Sequence, residues 1–236
     1  CWGEHRTATF MILGDTCTRS CRFCSVKSGH PGEVDMTEPL KVARSVKLMK
    51  LKHTVITSVD RDDLADGGAS IWAATIRKIR ELNPEVTMEA LIPDFLGKYD
   101  HLEIVLSERP EVVSHNVETT RRLTGKIRNR ARYDRSLQVL KWVHEYGIRA
   151  KSGIMLGLGE TEQEVVETLK DLRGVGCEVV TIGQYLQPTK TQIEVQEYVH
   201  PKQFEKYEKI GLDLGFKYVE SGPLVRSSYR AWKHVN

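Results

Sequence analysis

Six short apolar runs, each followed by a stretch of helical periodicity, constrain this chain more than any other feature. The runs are Thr9–Leu13, Val55–Val59, Thr87–Ile92, Val112–His115, Ile148–Leu156 and Val179–Gln184, all of strand length. Between them, Thr37 is placed to cap a helix carrying Leu40, Ala43, Val46 and Met49 on one face, with Pro39 tolerated in its first turn. Ser70 opens a second helix through Ile76 and Ile79, and Leu137, Leu140 and Val143 mark the helix after the fourth strand. Thr161-Glu-Gln-Glu164 is a capping box ahead of Val165, Leu169 and Leu172, and Pro201 starts a last helix with Phe204, Tyr207 and Ile210. Such alternation predicts an α/β chain with a parallel sheet and right-handed crossovers. At 236 residues, a full eight-unit barrel of ~250 residues is tight, so a partial (β/α)6 barrel is expected. No repeat, linker or low-complexity stretch divides the chain, which predicts a single catalytic domain over 1–236: a short lead at 1–7, the partial barrel over 8–220 and a tail over 221–236.

Composition narrows the function classes. Charged residues at 28% and hydrophobic ones at 40% exclude a disordered chain, and the formal charge is only +3. No apolar stretch approaches the ~20 residues a membrane span needs. Phe10–Leu13 and Ile154–Leu156 are core strands in length. The chain begins at Cys1 with no signal peptide after it, which predicts a cytoplasmic protein that has lost an N-terminal piece.

The cysteines carry the chemistry. There are five, Cys1, Cys17, Cys21, Cys24 and Cys177, an odd count that suits a disulfide framework poorly. Cys17-Thr-Arg-Ser-Cys21-Arg-Phe-Cys24 has the spacing C-x3-C-x2-C, in which the chain need only curl once to bring the thiolates to one cluster. Structural zinc takes four ligands, usually as two separated pairs, and no partner pair follows. Three thiolates suit a 4Fe–4S cluster with one iron left open for a substrate or cofactor. The loop follows the first strand, at the carboxyl end where parallel α/β folds place their chemistry.

With Phe23 just before its last cysteine, this motif resembles the radical S-adenosylmethionine (SAM) superfamily. Ala8–Cys24, Thr57–Ala69, Ser114-His-Asn-Val-Glu-Thr119 and the ending Val225-Arg-Ser-Ser-Tyr229 resemble, more narrowly, its lipoyl synthase family, over essentially the whole chain. The resemblance implies that Cys17, Cys21 and Cys24 hold a cluster that binds SAM and, when reduced, cleaves it to a 5′-deoxyadenosyl radical. That radical abstracts hydrogen from carbons 6 and 8 of an octanoyl-lysine on a lipoyl carrier protein, either a 2-oxoacid dehydrogenase E2 domain or the glycine cleavage H protein. Reduced flavodoxin or ferredoxin is the implied electron donor; neither membrane nor nucleic acid is an expected partner. A second, auxiliary 4Fe–4S cluster gives up the sulfur. Family members hold it with three N-terminal cysteines and a serine near the C-terminus. Cys1 is the last of those cysteines, so residues 1–7 are expected to be the remnant of that segment, with the other two preceding residue 1. Ser228 carries over as the oxygen ligand, with Ser227 as runner-up. An oxygen is a poorer match than thiolate to iron in a sulfur cluster, which suits a ligand that must detach.

Other residues divide between site and scaffold. Gly67-Gly68, beside Asp66, stands where the superfamily sets a glycine-rich stretch against the methionine amino group; a close backbone approach before the next helix explains it equally well. Asn116 and Glu118, ending the fourth strand, are candidates for the ribose or amino-acid part of the cofactor, with helix capping as the alternative. Gly153-Ile-Met-Leu-Gly157-Leu-Gly-Glu160 resembles the superfamily's fifth-strand pattern and lays Met155 against adenine. The run Arg121–Arg135 holds seven basic residues against Asp134 and reads as a nucleic-acid patch, as a solvated face or, given the family, as a site edge on which Arg132 holds the cofactor carboxylate. The histidines show no ligand spacing, Cys177 reads as a buried structural thiol, and Trp2 reads as packing or as a shield for the auxiliary cluster. Two rival functions stand beside the family reading: another radical sulfur-insertion enzyme, biotin-synthase-like or transfer-RNA-modifying, and a zinc-binding RNA-interaction module. Iron with matching sulfide, rather than zinc alone, separates the enzymes from the module.

Overall fold

The computed structural model describes residues 5–235, so Cys1 and Trp2 lie outside the described residues. The chain forms two compact units. One comprises residues to Thr18, Val26–Ser114 and the segment from Arg230; the other comprises Arg19–Ser25 and His115–Tyr229.

The first unit contains β1 (Thr7–Ile12), the two-residue pair β2 (Thr16–Cys17) and β3 (Lys27–Ser28), β4 (His53–Ser58), β5 (Thr87–Leu91) and β6 (Val112–Ser114). β1, β4, β5 and β6 pair in parallel in that order, from Thr7 opposite His53 to Leu91 opposite Ser114. His53, Thr54, Val55 and Ile56 are all buried, the continuous burial expected of an interior parallel strand. Its helices are α1 (Glu38–Leu48), α2 (Ala69–Leu82) and α3 (Tyr99–Leu106). Pro39, Val42, Ala43 and Val46 are buried on α1, whereas Leu40 and Met49 of the predicted face are exposed. Both faces share Ala43 and Val46 at helical spacing, and packing selects the neighbouring stripe. Thr37 makes no side-chain cap there; Asp35 accepts from the Thr37 N–H (2.8 Å) instead. At α2 the cap is Asp66, whose carboxylate accepts from the N–H of Gly68 (2.9 Å) and of Ser70 (2.8 Å).

The second unit has β7 (Arg149–Leu156), β8 (Val179–Gln184) and β9 (Tyr218–Gly222), again parallel, with α4 (Arg121–Ile127), α5 (Tyr133–Glu145), α6 (Glu162–Gly174) and α7 (Pro201–Asp213). The capping box of α6 is formed as expected: Thr161 Oγ1 accepts from the Glu164 N–H (3.3 Å), and the Glu164 carboxylate from the Thr161 N–H (2.8 Å). Pro201 does open α7. Seven principal strands therefore stand where six were expected. β9 escaped because Tyr218-Val-Glu-Ser-Gly222 buries only Val219 and shows no apolar run.

A glutamine clamps this unit near its site. Gln184 Nε2 donates to the carbonyls of Leu156 (3.2 Å), Tyr185 (3.0 Å) and Glu197 (2.9 Å), while its Oε1 accepts from the Val199 N–H (2.9 Å). Gly157 passes beneath with φ +91°, and a Cβ there would stand 2.3 Å from both Gln184 Nε2 and the Glu197 carbonyl. Gly157→Ala is expected to cost about 3 kcal/mol in urea unfolding, from left-handed strain plus collision with backbone. A loss below about 0.5 kcal/mol would show that the clamp yields freely. Among the described residues, no helix is long and apolar enough to cross a membrane.

Candidate active site

The first unit presents Cys17. Beyond β1, left-handed Leu13 (φ 68°) and Gly14 (φ 90°) turn the chain. The Leu13 N–H is fixed on the Glu38 carboxylate (2.7 Å). In β2, Cys17 Sγ accepts from the Asp60 N–H (3.3 Å), and the Asp60 carbonyl accepts from the Thr18 N–H (3.0 Å) and hydroxyl (2.9 Å). An N–H aimed at a cysteine sulfur is a contact that tunes a metal thiolate. Asp60 was not among the candidates, although its place just past the second strand is where site residues gather. Both candidate glycines answer close approaches: a Cβ on Gly67 would lie 3.2 Å from the Phe95 ring, and one on Gly68 2.6 Å from the Leu13 side chain. Gly67 also lines a shallow polar cavity with Asp60, Asp62, Lys98 and His101.

The second unit presents Cys21 and Cys24. The Cys24 N–H closes a turn on the Cys21 carbonyl (3.0 Å), the Arg22 N–H donates to Ile127 at the end of α4 (2.8 Å), and the Arg22 carbonyl accepts from Ile193 (2.9 Å). Gln192 Nε2 donates to the Cys24 carbonyl (3.2 Å). Phe23 packs against an apolar cluster of Leu123, Ile127, Leu158, Tyr185 and Ile193, and Met155 packs against the same cluster. The cysteine loop's aromatic and the fifth-strand methionine thus share one apolar patch. Cys17, Cys21 and Cys24 are half-buried, whereas Cys177 is buried, its thiol pushed up to about 12 mainly by that burial. Cys177 is a structural thiol, as read. Among the described residues, no group of three His, Cys, Asp or Glu side chains is gathered to hold a metal ion. The donor set itself, three thiols within eight residues of sequence, is the set iron–sulfur clusters take.

Asn116 and Glu118 lie on a segment running beside β7. The Glu118 N–H donates to the Gly153 carbonyl (2.9 Å), its carbonyl accepts from the Met155 N–H (2.9 Å), and its φ is +66°. Asn116 Oδ1 is buried with no hydrogen-bond partner. A Cβ on Gly153 would stand 3.0 Å from that oxygen and 2.6 Å from Thr181 Oγ1. Gly153 is thus a close approach, and the unsatisfied buried Asn116 acceptor beside it fits a donor-bearing ligand such as SAM. Burial pushes the Glu118 carboxyl above its ordinary value, opposed by the charge of Arg128 and a hydrogen bond with Asn116. β7 and β8 pair Gly153 with Thr181 and Met155 with Gly183, so these four share one sheet face. On that face the C-terminal tail is seated: a Cβ on Gly183 would lie 2.3 Å from the Val225 carbonyl. The turn closes with the Tyr229 N–H on the Arg226 carbonyl (2.8 Å). Ser227 and Ser228 are half-buried, and neither hydroxyl bonds a described residue.

The basic run is largely consumed internally. Arg121 pairs with Asp134 and Asp171 and stacks on Tyr133 (4.4 Å), and Arg122 pairs with Glu164 (2.6 Å). Arg132 is exposed at the head of α5; its carbonyl accepts from the Ser136 N–H (3.0 Å), and its guanidinium makes no hydrogen bond or ion pair to a described residue. The guanidinium acting on Glu118 belongs to Arg128, which is buried (8% exposed). An arginine between Ile127 and Ala131, both buried, was the available signal for it. Two of the histidines have structural partners: His53 Nδ1 lies 2.8 Å from Thr87 Oγ1, and His115 Nε2 lies 2.9 Å from Ser136 Oγ.

Residues 11–172 match the radical SAM superfamily, and the parallel α/β fold agrees: the chain is a radical SAM enzyme. Streptococcus suis SuiB bound to S-adenosylmethionine shares its fold, with a TM-score of 0.67 at 13% identity, over 90% of this chain and 49% of that one. The lipoyl synthase of Flavobacterium johnsoniae is 62% identical over 236 residues, covering 100% of this chain and 82% of the relative. The mitochondrial lipoyl synthase of Nematostella vectensis is 61% identical over 237 residues, covering 100% and 81%. The chain belongs to the lipoyl synthase family, enzymes of sulfur insertion, and the zinc-module and biotin-synthase-like readings are set aside.

Proposed function

We propose that this lipoyl synthase family member carries out the whole reaction with the residues singled out above. Cys17, Cys21 and Cys24 hold the radical 4Fe–4S cluster. Gly67, Gly68, Asn116, Glu118 and Arg132 bind the polar parts of SAM, and Phe23 and Met155 form the apolar wall for adenine. Cys1 and Ser228 belong to the auxiliary 4Fe–4S cluster. When bound, the reduced cluster and SAM supply a 5′-deoxyadenosyl radical for carbons 6 and 8 of the octanoyl-lysine, and the auxiliary cluster supplies the sulfur. The chain's own groups orient and shield: a carboxylate at Glu118 accepts from ribose hydroxyls or the methionyl ammonium, Asn116 Oδ1 takes a further donor, and the apolar cluster around Phe23 excludes water. Reduced flavodoxin or ferredoxin serves as electron donor, in the cytoplasm.

The observation that most supports this reading is the single face of β7 and β8. It carries Gly153 and Met155, with the Asn116 oxygen beside Gly153, and it also receives the Val225 carbonyl, three residues ahead of Ser228. The test is anaerobic incubation of the reconstituted protein with reductant and SAM, with and without an octanoyl-lysine peptide, following 5′-deoxyadenosine and peptide sulfur by mass spectrometry. Peptide-stimulated 5′-deoxyadenosine is expected. None from a protein shown to hold its cluster would overturn the reading.

A further inference from the structure

Arg128 is a buried arginine that the assignment above leaves without a task. Its Nη1 donates to the Val117 carbonyl (3.1 Å), the peptide immediately before Glu118, and reaches Ser136 Oγ (3.4 Å). Ser136, fully buried, lies 2.9 Å from His115 Nε2. The His115 carbonyl accepts from Ser152 Oγ (2.9 Å), which in turn accepts from the Val117 N–H (3.3 Å). These bonds close a buried ring through His115, Ser136, Arg128, Val117 and Ser152. A buried guanidinium is costly unless acceptors meet it, and the Val117 carbonyl it holds belongs to the peptide that leads into Glu118. Glu118 for its part holds a left-handed conformation (φ 66°), one that survives in a non-glycine residue only where its surroundings over-determine it.

We propose that Arg128 is the positioning residue of the cofactor wall: locked onto the Val117 carbonyl and Ser136, it holds the peptide that sets Glu118 in place to meet SAM. The inference rests on the assignment of Glu118 to SAM and adds the group that makes Glu118 competent. A purely scaffolding arginine would tie the end of α4 to the sheet and leave SAM affinity alone.

The experiment measures SAM dissociation constants by equilibrium dialysis on anaerobically reconstituted protein, together with kcat and KM for 5′-deoxyadenosine formation and the melting temperature. Glu118→Gln and Arg128→Met are each expected to raise the SAM dissociation constant about tenfold, the scale of one charge-assisted hydrogen bond. Arg128→Met should raise KM for SAM with kcat within about twofold, and Arg128→Lys should recover part of the affinity. The double variant is expected to bind SAM no worse than the weaker single, because Arg128 acts through Glu118. Fully additive losses would overturn the inference while leaving the Glu118 assignment standing. Unchanged affinity in Glu118→Gln would overturn both. If Arg128→Met does not fold, Ser136→Ala loosens the same guanidinium from a distance and is expected to raise the constant about threefold; unchanged affinity there would equally overturn the inference.

Discussion

Replacing Cys24 by alanine is expected to abolish 5′-deoxyadenosine production and lower bound iron, while the melting temperature moves by no more than a few degrees. The Cys24 bonds that shape the loop are its N–H to the Cys21 carbonyl and its carbonyl to Gln192, both of which an alanine keeps. Half-buried Cys24 is of a class whose substitution costs about 0.5 kcal/mol or less when no special feature is broken. The thiol's chemistry is another matter. A 4Fe–4S cluster held by three thiolates has one open iron for SAM; with two it has a second unprotected position. The rate loss expected is on the order of 10³ or more, from loss of the site rather than its distortion. Cys177→Ala makes the contrast: buried and far up its titration range, it is expected to cost about 1–2 kcal/mol of stability and no iron. Iron and sulfide content, the optical spectrum and 5′-deoxyadenosine yield read all of this. A Cys24→Ala protein that keeps its iron and turns over like the parent would refute the ligand assignment.

What the sequence could disclose was local in origin. C-x3-C-x2-C, the capping box at Thr161 and the helix start at Pro201 depend on neighbours a few residues away, and the last two are found as expected. The strand cores were legible for the same reason, as continuous apolar runs. The features missed depend on distant partners. Arg128 went unnoticed because what buries it are the Val117 carbonyl and Ser136, contacts no periodicity announces. The exposed Leu40 and Met49 show the same limit, since packing rather than spacing chooses between adjacent helix stripes. β9 lacks an apolar run altogether, and its pairing with β8 is what makes it a strand. Asp60 was hidden because its ties to Cys17, through its N–H and its carboxylate, span 43 residues of sequence.

Gly183 is where that hidden information has its sharpest consequence. It sits in β8, whose residues are buried throughout, and an isolated glycine inside such a strand marks a close backbone approach. The approach is by the Val225 carbonyl, 2.3 Å from where a Cβ would stand, a contact that cannot be relieved by rotating a side chain. Gly183→Val therefore has to lift the Arg226-Ser-Ser-Tyr229 turn off the sheet. On the assignment of Ser228 proposed above, sulfur insertion suffers and SAM cleavage does not. We expect sulfur per peptide to fall about 10²-fold, the penalty of roughly 1 Å of misplacement. 5′-Deoxyadenosine should continue to form, and stability should drop by about 1–3 kcal/mol from the overpacking. Gly222→Ala is the matched control, because its Cβ would meet only a Val225 methyl at 3.5 Å, ordinary contact, so the parent ratio of sulfur to 5′-deoxyadenosine is expected. If Gly183→Val keeps that ratio too, the seat of the tail is irrelevant to sulfur delivery, and Ser228 loses its place in the site.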